Sequence, residues 1–160
     1  MKAIKKANSA CTIFGLVIPD MVKGPWADIA SGIRQTAQRD GHGICVPLCW
    51  DDPAAVLHHP FVFARLCAEA GIDGVFLRAF PDRKDTRRVL SALRREKIPV
   101  ARLRVNDESP IGGTGFDVVT LRREGRVSPR VALRLGSVAC HALLQRIAKP
   151  RNPPADLILE

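Results

Sequence analysis

Thr12-Ile13-Phe14-Gly15-Leu16-Val17-Ile18 is an unbroken run of apolar and small residues, stopped by Pro19-Asp20. Short continuous runs of this kind suit strands buried on both faces of a parallel sheet. The next stretch, Pro25-Trp26-Ala27-Asp28-Ile29-Ala30-Ser31-Gly32-Ile33, changes period. Pro25 fits the first position of a helix, where its missing N–H costs nothing. Trp26, Ile29, Ala30, Ile33 and Ala37 then fall on one helical face. The helix ends near Asp40-Gly41, with Gly41 as its left-handed terminator.

The same alternation continues outward from this unit. Gly43 to Trp50 reads as a second strand, with Pro47 suited to an edge because it cannot donate to a ladder. Asp51-Asp52-Pro53 is a helix-start signal, and the main second helix runs from Pro60 to Ala70 with Phe63, Leu66, Cys67 and Ala70 as its buried stripe. Gly71 ends it, and Asp73 to Leu77 forms the third strand. A third helix over Lys84 to Glu96 buries Val89, Leu90 and Leu93, and Pro99 to Leu103 is the fourth strand. Asn106 to Gly115 is all turn and breaker residues, a linker or long surface loop. Beyond it come a strand at Asp117 to Leu121 and a long helix opened by Ser128-Pro129. That helix carries Val131, Leu135, Val138, Ala139, Ala142, Leu143 and Ile147 as its apolar face, and Leu157-Ile158-Leu159 is a last strand. The order β-α-β-α-β-α-β, loop, β-α-β predicts a three-layer α/β domain, a mostly parallel sheet with helices on both faces. Ligands on such sheets bind beyond the carboxyl ends of the strands. Those ends are Pro19 to Pro25, Trp50 to Asp52, Arg78 to Asp82 and Arg104 to Asp107.

Composition agrees with one domain. The chain has 160 residues, 46 % hydrophobic and 26 % charged, which excludes a disordered tail, a collagen-like rod and a disulfide-stapled scaffold. No apolar stretch is long enough to span a membrane, and the basic start at Met1 to Lys6 is followed by no cleavage site of the secretory type. Cys11, Cys45, Cys49, Cys67 and Cys140 are odd in number and lie in apolar segments, which suits free buried thiols in a reducing cytoplasm. The formal charge of +9 raises the case for an anionic partner. With no tyrosine and eight aromatics, a stacking platform for single strands is not expected.

The opening segment resembles the effector-binding domain of LacI/GalR-type transcription regulators, relatives of the type I periplasmic sugar-binding proteins. The resemblance rests on Gly15 to Met21 with Pro25 to Ile33, on Ala70-Gly71-Ile72-Asp73-Gly74-Val75-Phe76-Leu77, and on Ile98-Pro99-Val100. The tail adds Leu135-Gly136-Ser137-Val138-Ala139-Cys140-His141-Ala142-Leu143-Leu144-Gln145-Arg146-Ile147, then Pro153-Pro154 and Leu157-Ile158-Leu159, similar to the closing helix and strand of that domain. The resemblance implies one lobe of a periplasmic-binding-protein-like fold, with most of a second lobe absent and the gap near Asn106 to Gly115. Truncation after a mid-domain helix is the competing reading. About ten residues precede the first strand, too few for the family's helix-turn-helix, so this chain carries no DNA-reading motif.

The resemblance also implies a site. Asp20, Lys23 and Trp26 fall on the turn after strand one, Arg78 on the end of strand three and Arg104 on that of strand four, where family sensors contact a small effector. Trp26 has two readings, a ring stacked on a sugar face or the first buried position of its helix. The cations Lys23, Arg78 and Arg104 likewise read either as contacts to an anionic ligand such as a sugar acid or as ordinary surface charge. The implied function is a non-catalytic sensor of a sugar or sugar acid, cytoplasmic, acting as a homodimer and without cofactor. Alternatives are a periplasmic-type sugar-binding lobe, a small α/β phosphate-binding enzyme, and a remnant or scaffold module with no ligand.

Other constellations carry less. Asp51-Asp52 with His58-His59, and Cys45 with Cys49, match no standard zinc spacing, and helix capping accounts for the aspartates. His141 sits beside a buried stripe, as a structural residue. Gly112-Gly113-Thr114-Gly115 lacks phosphate-loop spacing, and no G-x-S-x-G elbow occurs. Arg87-Arg88, Arg94-Arg95-Glu96-Lys97 and Arg122-Arg123-Glu124-Gly125-Arg126 read first as solvated faces and second as nonspecific polyanion contacts.

Overall fold

In the computed structural model, residues 11–18, 24–40, 43–48, 54–106, 116–122 and 125–160 are described. Six strands form one sheet: β1 (Thr12–Val17), β2 (Gly43–Pro47), β3 (Gly74–Arg78), β4 (Val100–Val105), β5 (Asp117–Leu121) and β6 (Asp156–Leu159). The spatial order is β2-β1-β3-β4-β5-β6 and every pairing is parallel. The helices are α1 (Trp26–Asp40), α2 (Ala54–His58), α3 (Pro60–Ala70), α4 (Arg83–Arg95) and α5 (Pro129–Ala148). This is a three-layer α/β architecture, a parallel sheet with helices on both faces.

Two cores follow from the period-two alternation along the strands. Phe14, Leu16, Phe76, Ala101, Leu103, Val119 and Leu121 face one way, under the stripes of α1 and α5. Val17, Val75, Leu77 and Val100 face the other way, under α2, α3 and α4. Phe14 and Phe76 meet across the β1–β3 register with ring centroids 5.5 Å apart. The continuous apolar reading of β1 therefore describes a strand covered on both faces.

Helices α1 and α5 touch through backbone. A Cβ placed on Gly136 would lie 2.2 Å from the Ile29 carbonyl oxygen, and one on Gly32 would lie 2.2 Å from that of Leu133. The two glycines let the main chains approach where any larger residue would hold them apart. At its far end α1 is tied to α5 by the His141 ring, 2.8 Å from Asp40 Oδ2. Arg39, then His141, hold the Asp40 carboxyl well below the usual carboxylate range.

The last strand is clamped by Arg146. Its Nε and Nη2 donate to the two carboxylate oxygens of Asp117 at 2.9 Å each, and Asp117 also accepts from Ala155 N–H at 2.9 Å. The same guanidinium donates to the carbonyls of Pro150, Asn152 and Pro153. One side chain thus organises the whole turn between α5 and β6.

Several expectations shift in detail. The expected strand at Gly43 to Trp50 is described as Gly43–Pro47, and Cys49 and Trp50 lie outside the described residues. Gly41, Asp51, Asp52 and the glycines at 112, 113 and 115 lie outside them too. Pro47 sits on an edge strand, where its missing donor is harmless. In α3 the buried residues are Pro60, Ala64 and Cys67, while Leu66 is 58 % exposed and Ala70 is also exposed. The helix contacts the sheet along the i, i+4, i+7 row from Pro60, which turns Leu66 about 100° away from Cys67. Gly71 ends α3 at φ 73°, as its position predicted. Cys11 is exposed, not buried as its apolar setting suggested, because it precedes β1 instead of lying within it.

Candidate functional site

All six strands being parallel, their carboxyl ends form one edge, and the helices α1, α4 and α5 begin there. Local chemistry shapes the turn after β3. Thr86 Oγ1 accepts from Phe80 N–H at 2.9 Å, and the Asp82 side chain caps α4 by accepting from Lys84 N–H at 2.8 Å. These bonds fix the direction in which the chain leaves Arg78.

Trp26 occupies the first buried position of α1 and is 3 % exposed. The Arg78 guanidinium lies over its ring, 4.2 Å from the centroid. The pair is held by register, since Arg78 neighbours Leu103 on the α1/α5 face of the sheet. A ligand stacking on that face of the indole would have to displace Arg78. Arg104 also stands at the carboxyl edge, but it pairs with Thr120 and leaves on the opposite face from Leu103. The structure therefore brings Trp26 and Arg78 together and sends Arg104 away from them. Asp20 and Lys23 lie outside the described residues.

Beside Arg104 on that opposite face is Arg102, 3 % exposed in the middle of β4. Burial, followed by the charge of Arg104, pulls its pKa down from the ordinary arginine value. Burial pushes the Cys45 and Cys67 thiols up to about 11 and Cys140 up to about 12. At neutral pH these thiols stay protonated and are poor nucleophiles. Among the described residues no group of three His, Cys, Asp or Glu side chains is disposed to hold a metal ion. No described helix is long and apolar enough to cross a membrane.

The carboxyl edge also holds a cavity of about 760 Å³ that the sequence reading had not singled out. Its walls include Pro25 and Asp28 from the start of α1, Asn106 from the end of β4, and Arg126 and Ser128 ahead of α5. Gly24, Asn106 and Gly125 around it adopt φ of 57°, 54° and 82°. These left-handed turns bend the chain back and leave the space open. Pro25 and Ser128-Pro129 had each marked a helix start. Their convergence needs the sheet order, which brings β1 and β5 within reach through β3 and β4.

No protein-family model and no curated sequence matches the chain. Solved structures do match its fold. A LacI-family transcriptional regulator from Enterococcus faecalis V583 with bound ribose aligns at TM-score 0.62 and 12 % identity, over 92 % of this chain and 95 % of that one. A LacI transcriptional regulator from Lactobacillus brevis aligns at 0.56 and 9 %, over 92 % and 98 %. A lac repressor dimer bound to operator and an anti-inducer aligns at 0.50 and 14 %, over 98 % of this chain and 57 % of that one. At these identities the likeness is one of fold.

Proposed function

We propose that the chain is the effector-binding lobe of a LacI/GalR-like transcription regulator, cytoplasmic and non-catalytic, taking a small sugar or sugar acid at the carboxyl edge of its sheet. The observation that carries this is the edge itself, where a cavity opens ahead of α1 and α5; its wall residue Pro25 immediately precedes Trp26, over whose ring Arg78 lies. The bound ribose of the Enterococcus faecalis relative supports the ligand class. Asp20, Lys23 and Arg78 are the proposed polar contacts, and Trp26 acts chiefly by backing Arg78; Arg104, on the opposite face of β4, is left out of the site. In this proposal residues 106–115 stand where a second lobe was lost. The seating of α5 on the same face as Phe14 and Leu16 supports that reading over truncation.

One lobe encloses half a cleft, so affinity is weak, with Kd in the millimolar range or just below. Calorimetry with ribose and with gluconate, as neutral sugar and sugar acid, tests the site. One of the two binds, and Arg78→Gln weakens it at least about tenfold, the usual loss for a charge-assisted contact of roughly 1.5 kcal/mol or more. Binding of neither compound sinks the sensor reading for the chain by itself.

A homodimer belongs to the same proposal. Val62 and Leu66, one turn apart on α3, are exposed, and so are Ile44 and Val46 on the edge strand β2. An apolar surface next to an Arg65–Glu69 pair suits a two-fold contact, which needs a self-complementary patch. Sedimentation velocity checks it: the wild-type protein runs as a dimer and Leu66→Glu as a monomer with an unchanged melting temperature. A monomeric wild type at 100 μM, a loading about a hundred times a micromolar Kd, removes the dimer.

A further inference from the structure

Helix α4 divides sharply in two. Thr86, Val89, Leu90, Ala92 and Leu93 are buried against the sheet. Arg83, Lys84, Arg87, Arg88, Ser91, Arg94 and Arg95 are all exposed. At about 100° per residue the exposed set occupies one stripe roughly 140° wide and about 18 Å long. The basic doublets 83–84, 87–88 and 94–95 recur after one turn and then two, so each returns to the same side. Residues 83–97 hold seven cations against the two carboxylates of Asp85 and Glu96, a net +5 of the chain's +9.

The stripe is held in shape. Arg94 lies over the Phe116 ring at 4.7 Å and Arg95 over Phe61 at 5.6 Å. Those contacts limit the rotamer entropy lost on binding. The Arg88–Asp85 pair, at 3.9 Å, is long and exposed and neutralises little.

We propose that the outer face of α4 binds the phosphate backbone of a nucleic acid, without reading its bases. A linear array of arginines matches a linear array of phosphates, and guanidinium forks suit phosphate oxygens. Anionic membrane is the poorer fit, because a helix lying on a bilayer inserts an apolar face and the apolar face of this helix is already buried in the domain. The helix has no tryptophan or tyrosine for stacking, which accords with backbone contact alone. The surface is separate from the carboxyl-edge cavity, so this proposal does not rest on the effector reading.

Fluorescence anisotropy of the full chain with a mixed-sequence 24-base-pair duplex, titrated at several salt concentrations, is the test. About four phosphate contacts give a log–log salt slope near −4, a loss of roughly 250-fold between 50 and 200 mM salt. The variant Lys84→Gln/Arg87→Gln/Arg88→Gln flattens the slope to about −1 and weakens binding at 50 mM at least tenfold, as expected when about three counterion-releasing contacts go. Arg34→Gln/Arg134→Gln/Arg151→Gln removes the same charge from elsewhere and stays within about twofold of wild type. Equal weakening by both triple variants overturns the proposal, as net charge alone would then explain binding. So does absence of binding at 50 mM salt. Tighter, equally α4-dependent binding to phosphatidylserine vesicles than to the duplex overturns it in favour of a membrane. Circular dichroism melts of both variants verify the fold, and the single variant Arg87→Gln, with about one unit less slope, serves if the triple does not fold.

Discussion

Gly136→Ala lowers the melting temperature by about 10 °C, a loss of roughly 3 kcal/mol for a domain of this size. An alanine in a helix interior normally gains about 1 kcal/mol over glycine. Here the new methyl would stand 2.2 Å from the Ile29 carbonyl oxygen and 2.7 Å from the Ile33 nitrogen. Both are backbone atoms of α1, which cannot turn aside as the end of a long side chain does. The helices must separate, and the layer of Leu135, Ala139 and Ile29 beneath them loses its contacts. Gly32→Ala acts on the same crossing from the other side. The double variant costs clearly less than the two losses added, because the first separation makes room for the second methyl. Calorimetric melts of the three variants decide the matter; melting of Gly136→Ala within 2 °C of wild type, the shift expected of roughly half a kcal/mol or less, would show that the helices do not touch as described.

Asp117→Ala is expected to cost about 3–5 kcal/mol, the usual penalty for stranding one partner of a buried ion pair. The Arg146 side chain is 15 % exposed and the Asp117 side chain 3 %. Removing the carboxylate takes two bonds from the guanidinium and the acceptor from Ala155 N–H. Arg146→Lys is the informative companion. It keeps a charge, but an ammonium cannot serve both carboxylate oxygens and the Pro150, Asn152 and Pro153 carbonyls at once. Urea midpoints report the stability, and amide exchange reports the place. Val118 N–H donates to the Ala155 carbonyl and Arg122 N–H to that of Leu159, so both should exchange early when the clamp fails. Protection at those amides equal to wild type would show that β6 is held by something other than Arg146.

Periodicity was enough for the elements and their class. The continuous burial of β1 and the 3.6-residue rows of α1, α4 and α5 were readable because the apolar run of β1 is unbroken and the apolar residues of the helices are regularly spaced. Helix α3 was harder. Its inward row is Pro60, Ala64 and Cys67, small residues with little signal, while the bulkier Val62 and Leu66 face outward. The Gly32–Gly136 crossing was quoted only as residues in two resembling segments. A contact made by the absence of side chains leaves no hydrophobic pattern. For the site, Trp26 and Arg78 were named one by one, but their stacking and the departure of Arg104 to the other face depend on β3–β4 register. The cavity was not legible because Gly125 and Arg126 read only as part of a solvated charge run, and Asn106, though at a named strand end, also opens a stretch of breaker residues.

The α1–α5 crossing also sets the order in which the protein can come together. Gly32 and Gly136 lie far apart in the chain, and between them are β2, β3, β4 and β5. As the polypeptide emerges during synthesis, Phe14, Ile29 and Ile33 exist long before Leu135, Ala139 and Leu143 arrive to cover them. Closing so long a loop slows the committed step of folding, and the waiting apolar layer is what a chaperone would bind or a neighbouring nascent chain would stick to. The close contact that gives the finished domain its tightest seam is therefore a late one, with the β5–β6 pairing still to follow it along the chain.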